Sequence, residues 1–420
     1  MKILFVLECA GLMTNGTTAS CVRFAKELEA KGHEITIIGC EPDKKINNLD
    51  HYVKLENFHF PIFQGLIEKE GFMFVKIDDS KLVEAIKNTD CVHWFLPFKL
   101  GKHVKAIADA YNIPCTGAYH LQPDSISSAI HMNYRWLNYF IYKGFQKYLY
   151  DITDYIHCPS TMIANKATQY GYKNNFRVIS NGISDFWHKV PSEKRPEDKN
   201  KIVITMVGRL AREKRQDLLI KAVKASKYEN KIQLVLCGQG PDKAKYEKLI
   251  KKLKFTNQPR IQFFTQEDLR YFLSSADLYA HCSDAETEGL GCVEAFACGL
   301  VPIISDSDVS ATKQFAISHH SLFKHGSYKS LANRIDYWIE HPDQVEKYKD
   351  IYIKEAESYA LPLQVERMEQ FFNDAINQKK QGLDKWSTNP TKAEYRYQKR
   401  IFRKLLKKGK IDSLPESLQK

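Results

Sequence analysis

The chain has 420 residues, 43% of them apolar and 27% charged, which excludes a disordered segment or a disulfide-held mini-protein and leaves room for two hydrophobic cores. The formal charge is +12, but residues 379–420 carry +9 of it, so the body is nearly neutral and the last segment strongly basic. Ten dispersed cysteines with no Cys-x-x-Cys pair argue against zinc or disulfide frameworks and fit reduced, buried thiols.

The first apolar run, 3–7, stops at Glu8, short of a signal-peptide core, and no run approaches the roughly eighteen apolar residues of a membrane span. A cytoplasmic location is expected. In chain order, the pattern predicts a strand at 3–7, a helix at 19–31 and strands at 34–38, 91–96, 115–119, 155–158 and 176–179. Residues 191–200 are charged, bracketed by proline and free of aliphatic or aromatic side chains, the composition of a linker. A second series follows: strands at 202–207, 232–237, 261–264, 276–280 and 301–304, with helices at 217–225 and 243–253 between them. A helix at 363–377 and the basic segment close the chain. Short apolar runs alternating with amphipathic stretches signify parallel sheets covered by helices. The expected class is therefore α/β, with two doubly wound domains at 1–190 and 201–360, a helix at 361–380 and a tail at 381–420.

In such sheets ligands bind beyond the carboxyl ends of the strands, so the loops there hold the candidates. The loop after the first strand contains Asn15 and Gly16 before a helix, where free amides can meet an anion; it lacks both the dinucleotide fingerprint and the P-loop. After the strand at 202–207 come Gly208, Arg209 and Lys214, a guanidinium and an ammonium able to clamp a diphosphate. The segment 283–299 is the most specific. Gly289, Leu290 and Gly291 precede a short helix, where backbone amides and the helix dipole favour phosphate. Glu286 and Glu294 can accept hydrogen bonds from sugar and ribose hydroxyls. Asp306-Ser307-Asp308 has the form of a metal-holding pair, but the basic clamp makes a strand-end loop the better reading, and no metal or other cofactor is expected.

Taken in order, Gly16, Gly32-His33-Glu34, His120, Asn181-Gly182-Ile183, Gly208-Arg209-Leu210 with Lys214, Cys237-Gly238-Gln239-Gly240-Pro241, and Glu286 with Glu294 followed by Ala297-Cys298-Gly299-Leu300-Val301-Pro302 resemble glycosyltransferase family 4 over about residues 1–378. The resemblance implies the GT-B fold, two Rossmann-like domains facing across a cleft, and retaining transfer from a nucleotide sugar. It implies that Arg209 and Lys214 hold the donor diphosphate, Glu294 the ribose and Glu286 the sugar. The amides from Glu288 to Gly291 would support sugar and phosphates, Gly16 would approach the donor, and His120 would lie beside the sugar. Here Glu286-Thr287-Glu288-Gly289 offers two acids, so Glu288 stands as an alternative to Glu286. Ser310-Ala311-Thr312 replaces the family's paired glycines.

The acceptor side is less specific. Residues 134–150 hold eight aromatics interleaved with Arg135, Lys143 and Lys147, which suits either a lipid interface or a core helix. In the tail, Tyr397, Ile401, Phe402, Leu405 and Leu406 fall on one helical face and basic residues on the rest, so 393–410 is expected to meet an anionic membrane surface, making the enzyme peripheral at the cytoplasmic face; docking on the protein's own acidic surface is the alternative. No nucleic-acid module is visible. By the resemblance, the expected activity is hexose transfer, glucose or galactose favoured, from a UDP-linked donor to a membrane lipid or lipid-linked glycan. The alternatives are a polysaccharide glycosyltransferase and a GT-B sugar-nucleotide epimerase.

Overall fold

A computed structural model describes residues 1–10, 16–40, 51–61, 64–65, 72–129, 132, 134–383 and 390–419. It divides into two compact units, one of residues 1–179 with 365–420 and one of residues 180–364. The division falls at Ile179/Ser180, ahead of the expected 190.

The first unit contains β1 (Lys2–Val6), α1 (Gly16–Ala30), β2 (Glu34–Gly39), β3 (Tyr52–Lys54), β4 (Asn57–Phe58), β5 (Phe74–Val75), α2 (Asp79–Lys87), β6 (Cys91–Trp94) and α3 (Lys99–Ala110). It continues with β7 (Cys115–Ala118), α4 (Pro123–Ala129), α5 (Arg135–Tyr148), β8 (Tyr155–Cys158), α6 (Thr161–Gln169) and β9 (Asn175–Val178). Seven strands form a parallel sheet in the order β3-β2-β1-β6-β7-β8-β9, while β4 and β5 make a separate antiparallel hairpin. The residues Ile3 to Val6 are all buried, which is why β1 reads as a continuous apolar run: helices cover both faces of a parallel sheet. The chain leaves β1 towards β2 and leaves β6 towards β7, so the strand order reverses between β1 and β6. That reversal makes their carboxyl ends the ligand crevice of this sheet.

The second unit contains β10 (Ile202–Val207), α7 (Gln216–Ala225), β11 (Ile232–Cys237), α8 (Lys243–Leu253), β12 (Arg260–Gln262), α9 (Gln266–Ser275) and β13 (Leu278–His281). It continues with α10 (Leu290–Ala297), β14 (Val301–Ser305), β15 (Leu322–Phe323), α11 (Tyr328–Glu340) and α12 (Pro342–Glu357). Its parallel sheet runs β12-β11-β10-β13-β14-β15, reversing between β10 and β13. Residues 191–200 are not a free linker. Lys194 pairs with Asp277 at 2.6 Å, Arg195 donates to Gln262 at 3.1 Å, and the buried Asp198 accepts from Arg260. These charges strap the segment along the edge of the second unit, so the hydrophilic composition marks ion pairing and not freedom.

Helix α13 (Leu361–Lys380) brings Phe371 and Phe372 against Phe5 and His93 of the first unit's core. Helix α14 (Lys392–Lys407) begins with a capping box, Thr391 accepting from the Glu394 amide while Glu394 accepts from the Thr391 amide. Its apolar face does not look outward. Ile401, Phe402 and Leu405 are buried in the first unit's core cluster, Phe402 meets Tyr111 edge to face, and the Tyr397 hydroxyl lies 2.8 Å from His103 Nδ1. This corrects the expectation of an apolar face held against a bilayer: that face covers α2 and α3, Leu406 alone of the five apolar residues is exposed, and only the basic side remains open. Within the tail, residues 384–389 lie outside the described residues.

Candidate functional site

Four loops gather at the carboxyl edge of the second unit's sheet. After β10 the chain reaches Gly208 and Arg209, passes a short 3-10 turn at Arg212–Lys214, and enters α7 through the left-handed Arg215. The loop after β11 fixes this segment: the Gly208 amide donates to Cys237 O at 3.0 Å and the Leu210 amide to Gln239 O at 2.8 Å. A side chain on Gly238 would place a Cβ 2.0 Å from Gly208 O, so the glycine-proline loop is glycine-rich because two backbones touch there.

Lys214 Nζ lies 2.5 Å from Glu286 Oε1, and His281 Nε2 lies 3.2 Å from the same oxygen. Tyr279, one strand pitch earlier on β13, sits 3.1 Å from His281 Nδ1 and fixes the ring. Burial by itself pushes the Glu286 carboxyl up, but the Lys214 ammonium and the His281 hydrogen bond outweigh it and hold the carboxyl far below the usual range. Glu286 is thus a permanently ionised acceptor beside a cation. Arg209 pairs with Glu213 at 2.9 Å and is 39% exposed, and such a surface pair is weak.

Glu288 is placed differently. It is buried, and its two oxygens accept from the Ser180 hydroxyl, the Asn181 amide at 3.1 Å and Asn181 Nδ2 at 2.6 Å. Its bonds tie the Asn181-Gly182 loop to the second unit, so of the two acids Glu286 is the one turned to Lys214. Gly289 has φ +91° and a Cβ there would stand 2.2 Å from Thr312 Cγ2; Thr312 occupies space that a side chain at 289 would need. Gly289 also N-caps α10 with no side chain, leaving the Leu290 and Gly291 amides at an uncapped helix start. Glu294 lies one turn further along α10.

Asp306 accepts from the His325 amide at 2.6 Å and Asp308 pairs with Lys313 at 3.1 Å, the arrangement of a strand-end loop. Among the described residues no three His, Cys, Asp or Glu side chains gather as a metal site.

In the first unit, Gly16 opens α1 and a Cβ on it would meet nothing within 4 Å; the loop before it, with Asn15, lies outside the described residues. His120 follows β7, is buried, and stacks on Phe95 at 5.6 Å with His157 edge-on at 5.1 Å. Burial first, and His157 second, hold it neutral, and its Nε2 has no hydrogen-bond partner among the described residues. Sequence reasoning missed His281, which ends β13; the predicted strand stopped one residue short of it, and the strand-end rule applied there points to it. It also missed Glu8, buried at the end of β1 with its carboxyl pushed up to about 8 by burial, against hydrogen bonds from its own amide and that of Leu100.

Helix α5 divides its aromatics. Tyr142 is buried, with its hydroxyl on Asp124 at 2.9 Å, whereas Tyr134, Trp136, Tyr139 and Phe140 are exposed.

Comparison with known proteins agrees with this architecture. Residues 14–185 match the model of Glycosyltransferase Family 4 and residues 189–357 that of Glycosyl transferases group 1. The chain is 27% identical to the alpha-monoglucosyldiacylglycerol synthase of Acholeplasma laidlawii over 74% of its own length and 81% of the relative's. It is 24% identical to the protein of the same name from Streptococcus pneumoniae, over 86% and 83%. Among solved structures, Anabaena HepE in complex with UDP superposes with a TM-score of 0.70 at 17% identity, covering 89% of this chain and 100% of that one. The sucrose-phosphate synthase of Thermosynechococcus elongatus gives 0.71 at 16% identity, covering 90% and 99%. These two likenesses concern the fold. With two parallel-sheet units, matched in turn by the two family models, the chain belongs to the GT-B glycosyltransferases and is an enzyme of that family.

Proposed function

We propose that this glycosyltransferase moves a hexose from a UDP-linked donor to a hydroxyl of a membrane lipid or lipid-linked glycan, with retention at the anomeric carbon and without a metal. The observation that carries the reading is the Lys214–Glu286–His281 cluster beside the uncapped start of α10. A cation and helix amides together match the charge that grows on a departing diphosphate, where preorganised electrostatics lower a barrier most. Glu286, ionised and held by two partners, accepts hydrogen bonds from sugar hydroxyls and orients the ring; Glu294 serves the ribose. The bond from the anomeric carbon to the diphosphate breaks, the acceptor oxygen bonds to that carbon on the same face, and the departing phosphate oxygen takes the acceptor's proton.

The lipid acceptor is supported by the two relatives named as monoglucosyldiacylglycerol synthases and by two features of the first unit. The exposed rings of α5 sit beside Arg135, and the open side of α14 presents Arg396, Arg400, Arg403, Lys404, Lys407 and Lys408. Aromatic residues at a headgroup interface and cations facing anionic lipid hold a protein at a membrane surface.

The test is incubation with UDP-glucose or UDP-galactose, with and without detergent-dispersed diacylglycerol or a soluble glycan, followed by mass spectrometry. A hexosylated lipid formed only when lipid is added supports the reading. Product on the glycan alone, or conversion of the sugar nucleotide with no acceptor, overturns it in favour of a polysaccharide enzyme or an epimerase.

A further inference from the structure

Five phenylalanines of the first unit form a connected ladder that the donor chemistry does not use. Phe58 meets Phe60 at 4.9 Å, Phe60 meets Phe74 at 5.3 Å, Phe74 meets Phe98 at 5.1 Å, and Phe72 meets Phe98 at 6.4 Å, mostly edge to face. Phe58 is 39% exposed and the other four are half-buried, so the rings pack on one another while keeping open edges. The ladder starts on the β4–β5 hairpin and ends at Phe98, the residue that N-caps α3. That position follows β6 at the strand-order reversal, where a doubly wound sheet receives its ligand. Three residues earlier Phe95 stacks on His120.

The chemistry of the ladder narrows what it can hold. A glycan is recognised by rings that carry or adjoin hydrogen-bonding groups; five phenylalanines supply neither hydroxyl nor ring nitrogen. The hairpin's base is polar by contrast. Residues 55–56 before β4 and 76–81 after β5, with Glu56, Asp78 and Asp79 among them, line a cavity of about 380 Å³ with Lys404, Lys408 and Lys410. An apolar strip with a charged, hydrogen-bonding foot matches an amphiphile. We propose that the ladder seats the hydrocarbon body of the acceptor lipid and so brings its hydroxyl to the ends of β1 and β6. The inference rests on the lipid-acceptor reading and specifies how that acceptor is recognised.

Phe58→Ser and Phe98→Ser, with Phe58→Leu and Phe98→Leu as apolar controls, test it in the full-length enzyme. The readouts are KM for dioleoylglycerol in detergent and for water-soluble dibutyrylglycerol, direct binding of a fluorescent long-chain diacylglycerol, and sedimentation with vesicles. Burying one ring against hydrocarbon is worth roughly a decade or more in affinity. Each serine variant is therefore expected to raise the long-chain KM and probe Kd about tenfold, leave the short-chain acceptor and vesicle sedimentation unchanged, and be rescued by leucine. Should Phe98→Ser fail to fold, Phe58→Ser, at an exposed site, decides alone. An unchanged long-chain KM, an equal loss on both acceptors, or lost vesicle binding with a normal detergent KM overturns the ladder as a lipid seat. If the wild type neither binds the probe nor transfers to either diacylglycerol, the lipid-acceptor reading itself fails, a result distinct from the others.

Discussion

Lys214 Nζ stands 2.5 Å from Glu286 Oε1, joining the loop after β10 to the loop after β13 across the reversal of strand order. Without the ammonium, burial would raise the carboxyl that His281 alone then supports. Lys214→Ala is expected to lower kcat/KM by at least about a hundredfold, in the range of lost charge-stabilising donors, while circular dichroism stays native. Turnover near the wild-type rate would remove the clamp.

The two neighbouring acids should separate cleanly. Glu288→Ala leaves the Ser180 and Asn181 donors buried without acceptors and is expected to cost about 2–4 kcal/mol of stability in urea unfolding. Glu286→Gln keeps the shape and is expected to lower kcat with a smaller change in Tm. A catalytic loss at Glu288→Gln with unchanged stability would reverse the assignment.

Gly16 and Gly238 make a second pair of opposites. Gly238→Ala drives a Cβ into Gly208 O and is expected to destabilise the protein by more than about 1 kcal/mol. Gly16→Ala meets nothing within 4 Å among the described residues, so Tm should hold or rise slightly. A raised donor KM in Gly16→Ala then reports ligand approach; an unchanged KM places the donor away from α1.

Buried ionisable groups of the first unit set the pH range of stability. Glu8, raised by burial to about 8 from an ordinary 4.5, is protonated when folded and ionises when unfolded, so its contribution is full below about 4.5 and is lost as pH rises to 8, at up to about 1.4 kcal/mol per pH unit. His157, lowered to about 4 from 6.5 with His93 and His120 lowered as well, acts oppositely: the unfolded chain takes protons first, and stability falls as pH drops from 6.5 towards 4. Urea titrations of the wild type and Glu8→Gln should diverge progressively from pH 5 to about 8 and run parallel above it. Curves already parallel below pH 8 would contradict a protonated Glu8.

Deleting residues 391–420 is expected to expose Tyr111 and the seat of Ile401, Phe402, Leu405 and Leu418, and to destabilise the first unit. Replacing Arg403, Lys404, Lys407 and Lys408 by Gln should leave Tm within a few degrees and weaken sedimentation with anionic vesicles, increasingly so at low salt. Unchanged sedimentation would leave the positive charge of the tail without a membrane role.

The two parallel sheets were legible in the sequence, because strands buried on both faces must be continuous apolar runs. So were the strand-end loops with Arg209, Lys214 and Glu286, because glycines and charges there break that pattern. Strands of two or three residues, such as Tyr52–Lys54 and Leu322–Phe323, carry too few residues to show a period. Glu286 and Glu288 are two residues apart and identical in chemistry, so their spacing does not tell them apart; the fold turns Glu286 to Lys214 and Glu288 to Asn181. The fold likewise decides what the apolar face of the basic tail meets. An amphipathic helix states that its apolar face needs cover but not what covers it, and here the cover is the protein's own α2 and α3.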